Sequence, residues 1–323
     1  MELKKQYKAS EERYANAADM YARCGQSGVL LPKISLGFWH NFGAADSYER
    51  SRAITHYAFD HGITHFDLAN NYGPPYGSAE ETMGRLIDDD FRPYRDELFI
   101  SSKAGYDMWP GPYGNWGSRK YLMASIDQSL KRMHLDYVDL FYSHRYDPNT
   151  PLEETLQALV DIVRRGKALY VGISRWPLDA LKTADHYLRS HDVPLLIFQD
   201  RLNLIDRHPQ ENGTLEYCRE HGIGFISFSP LAQGLLTNRY LNGIPADSRM
   251  AHGGSLTADK LTPELLAYIK KLNGEATQRG ETLAEMALAW ILNQMGVTSV
   301  LVGASSVEQL ADNMKCISAQ PFE

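Results

Sequence analysis

Hydrophobic and polar positions along this chain repeat as one unit, a short apolar run followed by a longer segment with helical periodicity. The apolar runs are almost uninterrupted, as is typical of parallel strands that are covered on both faces. Eight such runs lie at 31–39, 64–69, 97–103, 136–144, 168–174, 195–199, 224–229 and 298–303. Between them, apolar residues recur every three or four positions, which predicts helices. Eight alternating units predict an α/β fold, a single (β/α)8 TIM barrel, in preference to a doubly wound sheet.

Capping signals mark where several of these helices are expected to begin. Ser78 and Glu81 have the spacing of a capping box, and Thr282 and Glu285 repeat it. Thr150 is followed by a proline and, three residues on, by a glutamate, the order expected of a cap, a first helical residue and a third. We therefore predict helices that open at these three places.

The repeat is interrupted once, by a long loop at 231–261 after the seventh strand. Elsewhere no shift in composition and no linker rich in proline or serine divides the chain. We therefore predict one barrel domain over residues 1–323, with the charged, tyrosine-rich first 30 residues peripheral to it.

Composition narrows the class of protein. The formal net charge is −7 at pH 7 and there is no basic run, which argues against a nucleic-acid partner. No apolar run is long enough to span a membrane, and the first residues lack the apolar core of a signal peptide. Cys24, Cys218 and Cys316 are far apart and form no CxxC pattern, so free thiols and no metal site are expected. These features predict a cytoplasmic protein without a membrane partner.

Polar residues of a parallel barrel that serve chemistry lie where strands end. Asp67, Lys103 and His144 end three of the predicted strands, and Tyr72 lies in the loop after Asp67. An ammonium beside a phenol lowers the pKa of the phenol, and a carboxylate holds that ammonium charged. Such a tyrosine can give a proton to a carbonyl oxygen that receives a hydride, while a histidine orients the same oxygen. Singly, Lys103 could be a solvated lysine and His144 a buried structural histidine, but the four together favour a catalytic site.

The segments that contain these residues resemble the aldo-keto reductase family. They are 62–73, 100–103 and 142–147, with shorter matches at 172–174, 228–234 and 303–305. The similarity is greatest to the branch of bacterial L-glyceraldehyde 3-phosphate reductases and potassium-channel β subunits. It implies a (β/α)8 barrel that binds NADPH without a Rossmann fold, and no GxGxxG motif follows the first strand. It also implies that the long loop after the seventh strand clamps the cofactor.

The resemblance implies roles for individual residues. Tyr72 corresponds to the proton donor, Asp67 and Lys103 to the groups that tune it, and His144 to the residue that orients the carbonyl. The implied cofactor-binding residues are Trp39, Asp67, Tyr72, Ser174, Arg175, Gln199, Phe228, Ser229, Leu231, Gly234, Arg239, Arg249, Gly303, Ser305, Gln309 and Asn313. Many relatives have an arginine where this chain has Ser306. We therefore expect NADPH to be preferred by a smaller margin, with NAD bound more weakly.

A small aldehyde is the expected substrate, with L-glyceraldehyde 3-phosphate and methylglyoxal as examples. Its predicted contacts are Trp39, Tyr72, His144, Arg145, Trp109 and Trp116. Arg145 follows His144 directly and so can reach the mouth of the barrel; the alternative is a salt bridge to Asp147. The resemblance also leaves open a slow redox-sensing regulatory subunit that binds NADP(H) on the same barrel. In either case the family implies a homo-oligomer.

Overall fold

Ten strands form two sheets in the computed structural model, which describes residues 7–246, 248–252 and 256–322, with Arg249 and His252 described by their backbone alone. The first two, β1 (Tyr21–Arg23) and β2 (Leu30–Pro32), form an antiparallel hairpin. The next eight are parallel and close into a barrel, in which the last strand pairs with the first. They are β3 (Ile34–Gly37), β4 (His65–Asp67), β5 (Phe99–Ala104), β6 (Val138–Ser143), β7 (Ala168–Ser174), β8 (Leu195–Arg201), β9 (Gly224–Phe228) and β10 (Val297–Val302). The predicted (β/α)8 barrel is confirmed.

Helices follow the barrel strands and cover the outside of the sheet. Across the described residues they are α1 (Ala17–Met20), α2 (Tyr48–Asp60), α3 (Ser78–Leu86), α4 (Arg119–Met133), α5 (Leu152–Arg164), α6 (Leu178–Ser190), α7 (His208–Glu211), α8 (Thr214–Glu220), α9 (Arg249–His252), α10 (Pro263–Gln278), α11 (Leu283–Leu292) and α12 (Val307–Met314). A π turn at Ile87–Phe91 and short 3-10 turns at Arg92–Glu97, Ala232–Gly234, Asn238–Tyr240, Ala258–Lys260 and Lys315–Ser318 complete the helical structure.

The barrel has two apolar cores. One lies between the strands and the surrounding helices, and Phe66, Phe141 and Phe198 are part of it. The other fills the inside of the barrel and contains Leu140, Tyr142, Ile197 and Ile226. Every residue of β6 is buried because one set of its side chains faces each core. This is why the strands are almost continuously apolar in sequence.

The described part of the N-terminal segment, residues 7–30, packs against the barrel, although most of its side chains remain partly or fully exposed. Cys24 and Leu31, beside and within the β1–β2 hairpin, are fully buried in the inner core of the barrel. Further upstream, the hydroxyl of Tyr7 donates a hydrogen bond to Asp60 at 2.7 Å. The hairpin therefore closes the end of the barrel opposite the predicted site. The run at 31–39 is two strands, because the chain turns at Lys33 from the hairpin into the barrel.

Two of the three predicted caps are wrong. Before α3 the N-cap is Gly77, in the left-handed region at φ 92°, and Ser78 is already helical. Before α5 the N-cap is Pro151, because the hydroxyl of Thr150 donates to Asp147 at 2.6 Å instead. The third signal is confirmed: Thr282 and α11 form a complete capping box with Glu285. A turn contact outcompetes the cap at Thr150, whereas the Ser78 hydroxyl is buried without a hydrogen-bond partner among the described residues.

The segment after β9 packs against its own apolar cluster. Leu235, Leu236 and Tyr240 are buried against α10 and α11. Its predicted length of 231–261 agrees with the start of α10 at Pro263, although short helical turns occur within it. This packing holds the segment along the open end of the barrel.

Candidate active site

A buried ion pair lies at the carboxyl ends of β4 and β5. The Lys103 ammonium has no exposed surface and donates hydrogen bonds to Asp67 Oδ2 and, at 2.7 Å, to the carbonyl of Leu68. The second carboxylate oxygen, Asp67 Oδ1, accepts from Ser101 at 2.7 Å and from Gln199 at 3.4 Å. Burial lowers the pKa of Lys103, and the Asp67 carboxylate acts against that shift. Each charge is therefore neutralised by the other, as buried charges require.

Tyr72 lies beside this pair, in the loop that follows β4. The Lys103 Nζ atom is 5.1 Å from the centroid of its ring. Burial raises the pKa of Tyr72 well above its usual value, and Asp67 and Tyr106 act in the same direction. The net shift is therefore upward, opposite to the direction expected from Lys103 alone. The physical reason is that the lysine charge is already compensated by Asp67, so burial of the phenol dominates.

His144 completes the group at the end of β6. Its ring packs edge-on against Tyr72, with centroids 5.8 Å apart, and against Tyr106 at 4.7 Å. Burial lowers the pKa of His144 well below its usual value, and the cations Lys103, Arg175 and Arg145 add to that shift. Its Nδ1 is buried without a hydrogen-bond partner among the described residues. The imidazole is therefore neutral near pH 7 and keeps hydrogen-bonding capacity for another molecule.

These side chains open onto a cleft of about 720 Å³ that runs across the mouth of the barrel. The predicted site residues that line it are Trp39, Asp67, Tyr72, His144, Ser174, Arg175, Gln199, Phe228, Ser229, Leu231, Gly234, Arg239, Gly303, Ser305 and Gln309. Lys103 lies beneath the floor, behind Asp67. Asn313 is buried one turn beyond Gln309 on α12. The side chain of Arg249 lies outside the described residues.

The loop after β5 differs from its prediction. Neither Trp109 nor Trp116 lines the cleft, since Trp109 packs on Tyr121 with centroids 5.1 Å apart. The same loop instead contributes Tyr106, whose hydroxyl accepts a hydrogen bond from Arg175 at 3.3 Å. The geometry of this loop gives no support to substrate contacts by the two tryptophans.

Arg145 is committed to the same loop. Its Nε donates to the carbonyl of Gly105 at 2.7 Å and one terminal nitrogen donates to Asn115 at 2.6 Å. Its guanidinium lies over the rings of Trp116 and Tyr106, 3.5 and 4.4 Å from their centroids. The alternative salt bridge to Asp147 is not formed in the described structure, where that carboxylate binds Gly117, Asn149 and Thr150. These contacts hold Arg145 against the loop that forms one wall of the cleft.

Sequence reasoning missed several residues of the cleft. They include Asn41, Asn71, Tyr106, Arg201, Gln233 and Thr237. Arg201 could have been found, because it lies two residues after Gln199 on β8 and so shares its face. Tyr106 could not, because it lies in an irregular loop.

Backbone strain is concentrated at the cleft. Eight non-glycine residues of the described chain have a positive φ, and four of them, Asn41, Arg175, Ser229 and Gln233, line the cleft. Such conformations cost of order 1–3 kcal/mol each and cluster at functional sites. Their distribution supports a ligand-binding role for this cleft.

The end of the cleft beside α12 has the chemistry of a phosphate and base site. Ser306 caps the helix by accepting a hydrogen bond from the Gln309 backbone at 3.2 Å, and Ser305 donates to the Gln309 side chain. A helix N-terminus attracts a phosphate. One turn on, the buried Nδ2 of Asn313 has no partner among the described residues. A helix N-terminus at the cleft, with an unsatisfied buried donor further along the same helix, fits an adenine nucleotide.

Three further features of the described residues concern metal sites, membrane-spanning helices and cysteines. Among the described residues, no three His, Cys, Asp or Glu side chains are grouped as a metal site requires. In that same part of the chain, no helix is both long and apolar enough to cross a membrane. Cys24, Cys218 and Cys316 are buried, free thiols.

Comparison with known proteins identifies relatives over nearly the whole chain. The sequence profile of the aldo/keto reductase family matches residues 33–323. L-Glyceraldehyde 3-phosphate reductase of Escherichia coli K12 is 56% identical over 318 residues, which cover 97% of this chain and 91% of that protein. A probable voltage-gated potassium channel subunit beta of Arabidopsis thaliana is 36% identical over 309 residues, which cover 94% and 92% of the two chains.

Proposed function

This chain belongs to the aldo/keto reductase family, and we propose that it is an NADPH-dependent reductase of small phosphorylated aldehydes such as L-glyceraldehyde 3-phosphate. Membership of the family makes it an oxidoreductase, and enzymes of the family generally use NAD(P)H. The observation that carries the proposal is the grouping of Tyr72, His144 and the Lys103–Asp67 pair on the floor of one cleft. The substrate class is supported by the identity to the E. coli reductase.

Tyr72 would give the proton that the carbonyl oxygen needs. Because burial raises its pKa, the phenol is protonated at neutral pH and available as a donor. The Lys103 ammonium, 5.1 Å from the ring centroid, would stabilise the phenolate left behind. The neutral His144 would hydrogen-bond the same carbonyl oxygen and orient it.

The cofactor, when bound, would supply the hydride. Ser174 and Gln199 would hold its amide end, while Ser229, Leu231 and Gly234 would line its middle. Ser305, Gln309 and Asn313 would hold the adenosine phosphate and the base. We expect the 2′-phosphate form to bind better, because the α12 N-terminus and Arg239 are donors that a phosphate can use.

Recognition of a phosphorylated substrate would fall to Arg201 in place of Arg145. The Arg201 side chain is 42% exposed, lines the cleft and meets Asp206 only at 3.6 Å. Arg145, by contrast, is held by Gly105 and Asn115. We expect Arg201→Ala to raise KM for L-glyceraldehyde 3-phosphate roughly ten- to a hundredfold, as loss of one charge-assisted hydrogen bond would. KM for methylglyoxal, which has no phosphate, should change little, and Arg145→Ala should affect both substrates alike.

Steady-state turnover tests the proposal. The purified chain should reduce L-glyceraldehyde 3-phosphate over many cycles with NADPH, and Tyr72→Phe should lose roughly 10²–10⁴ in kcat while still binding NADPH. Near-normal kcat in that variant would refute the role of Tyr72. A single oxidation of bound cofactor without turnover would instead favour the regulatory-subunit alternative. That alternative is motivated by the 36% identity to the plant channel subunit.

A further inference from the structure

A chain of hydrogen bonds runs through the inside of the barrel to Asp67, with His65 at its centre. Its five contacts are Ser299 Oγ to Pro32 O at 2.7 Å, Ser299 Oγ with Ser35 Oγ at 2.7 Å, Ser35 Oγ with His65 Nδ1 at 2.8 Å, His65 Nε2 with Ser101 Oγ at 3.0 Å, and Ser101 Oγ to Asp67 Oδ1 at 2.7 Å. The proton donor Tyr72 is one step further on, beyond Lys103.

This chain of hydrogen bonds is buried away from solvent. His65 and the three serines have no exposed surface, and Asp67 is 2% exposed. Each of these buried polar groups therefore needs a hydrogen-bond partner inside the barrel, because leaving one unpaired costs free energy of folding.

The number of hydrogens limits how the chain can be arranged. Both ends, the Pro32 carbonyl and the Asp67 carboxylate, only accept. Three hydroxyl groups and one neutral imidazole supply four hydrogens for five contacts. One contact therefore lacks a hydrogen whenever His65 is neutral, and the tautomer of His65 decides which one.

The two tautomers place the shortage at opposite ends. If Nδ1 carries the hydrogen, the single hydrogen of Ser101 must serve both His65 Nε2 and Asp67. If Nε2 carries it, Ser101 is free to donate to Asp67, and the shortage moves to Ser299. That residue has a choice of acceptors, since its Oγ is also 3.3 Å from the Lys33 carbonyl. The first arrangement leaves either the Asp67 carboxylate short of a donor or the buried His65 Nε2 without one, whereas the second satisfies both, which favours Nε2–H.

We propose that His65, as the neutral Nε2–H tautomer, is a positioning residue for catalysis: it donates to Ser101 and thereby directs the Ser101 hydroxyl onto Asp67. Asp67 can then present its other oxygen to Lys103, and Lys103 keeps its place beside Tyr72. The catalytic part of this inference rests on the proposed function, whereas the tautomer of His65 does not.

The surroundings of His65 agree with a neutral ring. The charged groups that face it are Asp67 on its own strand and Lys103 on β5, and the ring of Phe99 packs edge-on at 5.4 Å. Burial lowers the pKa of His65 to about 4, with Asp67 raising it and Lys103 lowering it. The nearby carboxylate is already paired with the lysine and so does not draw a second proton onto the ring.

Nitrogen NMR of the histidine-labelled protein tests the tautomer directly. Between pH 6 and 8, His65 should show a protonated Nε2 and an unprotonated Nδ1, whether or not the protein is active. An Nδ1–H tautomer, or a ring that is doubly protonated in this range, would overturn the inference.

A pair of neighbouring serines tests the consequence for catalysis. Ser101→Ala removes the donor to Asp67 and should lower kcat roughly tenfold, about the effect of one charge-assisted hydrogen bond. KM and the Kd for NADPH should stay within about twofold of wild type, because Ser101 does not line the cleft.

Ser102→Ala is the matched control. Ser102 is the next residue on β5, equally buried, and donates to the carboxylate of Glu80 at 2.5 Å on the other face of the sheet. The Ser102→Ala variant should lose similar stability to Ser101→Ala, yet keep the wild-type kcat and the wild-type dependence of kcat on pH. Equal kinetics in the two variants would refute the positioning role. Loss of the proposed function would appear differently, as an absence of turnover in the wild-type protein while the NMR result stands.

Discussion

The Lys103 ammonium is fully buried beneath the floor of the cleft. Lys103 has two acceptors, Asp67 and the Leu68 carbonyl, and both come from the adjacent strand and the residue that follows it. These two bonds use two of the three ammonium hydrogens and hold the lysine charge in place beside Tyr72. Its effect on the tyrosine is one of electrostatic field, and it matters most after the phenol has lost its proton.

Replacement of Lys103 by Met tests this. Methionine keeps the length of the side chain and removes the charge, so kcat should fall by roughly 10²–10⁴, the range of a lost general-acid function. Groups that act as one unit lose activity non-additively, so the double variant Lys103→Met, Tyr72→Phe should be little slower than Tyr72→Phe alone. Single-turnover rates of NADPH oxidation give the comparison. Fully multiplicative losses would mean that lysine and tyrosine act separately.

In helix α12, one residue affects both the cofactor preference and the stability of the helix. Ser306 is its N-cap, so the position at which many relatives have arginine also closes the first turn here. Loss of an N-cap costs about 1 kcal/mol. A substitution intended to change cofactor binding therefore has to be separated from its effect on the helix.

Ser306→Arg should tighten NADPH binding roughly ten- to a hundredfold, because a guanidinium adds a charge-assisted contact to the 2′-phosphate. NADH, which lacks that phosphate, should bind as before. Ser306→Ala is the control, since it loses the same cap and gains no charge. Dissociation constants by fluorescence quenching decide the matter. Wild-type protein that binds NADH more tightly than NADPH would contradict the assignment of this end of the cleft.

Helix packing also depends on one glycine. A Cβ on Gly84 of α3 would lie 2.2 Å from the carbonyl oxygen of Arg132 on α4, so the two helices meet backbone to backbone there. Gly84→Ala should lower the free energy of unfolding by roughly 1–3 kcal/mol, as overpacking does. Gly274→Ala, in α10 with nothing within 4 Å of the new Cβ, should instead raise it by roughly 0.4–1 kcal/mol. Urea unfolding of both variants tests the contrast, and a stable Gly84→Ala would show that α3 can move away.

At the scale of the molecule, two histidines are buried among the described side chains, His65 inside the barrel and His144 in the cleft. Burial lowers the pKa of His65 to about 4 and moves the pKa of His144 in the same direction. The unfolded chain takes up a proton on each near pH 6.5, but the folded protein does so only at lower pH. Their contribution to stability is therefore complete above about pH 6.5 and is lost as the pH falls toward the folded values.

Between pH 7 and 5.5 the free energy of unfolding should thus decrease, approaching a slope of roughly 1.4 kcal/mol per pH unit for each histidine. Urea midpoints measured across this range give the slope. His144→Asn should lower that slope by roughly 1.4 kcal/mol per pH unit, the share of one histidine. A stability that does not change with pH over this interval would mean that neither histidine is held neutral.

The hydrophobic pattern by itself determined the alternation of strands and helices. It also placed Asp67, Lys103 and His144 at strand ends that share one rim, because parallel strands of a barrel run the same way. Strand and helix bounds were mostly predicted within a few residues. Local motifs did less well where another local contact competed, as when Thr150 donates to Asp147 three residues before it.

What each polar group faces depends on contacts between strands and loops that are distant in sequence. The direction of the Tyr72 pKa shift depends on burial and on Lys103 being already paired, neither of which a linear pattern contains. The attachment of Arg145 to its loop comes from residues 30 and 40 positions away. The linear pattern does not distinguish His65 from other polar residues in apolar strands, whereas the register of β3, β5 and β10 places three serines in line with it. Periodicity specifies which face a side chain takes, but its partners come from strands far away in sequence, and those are set only when the barrel closes.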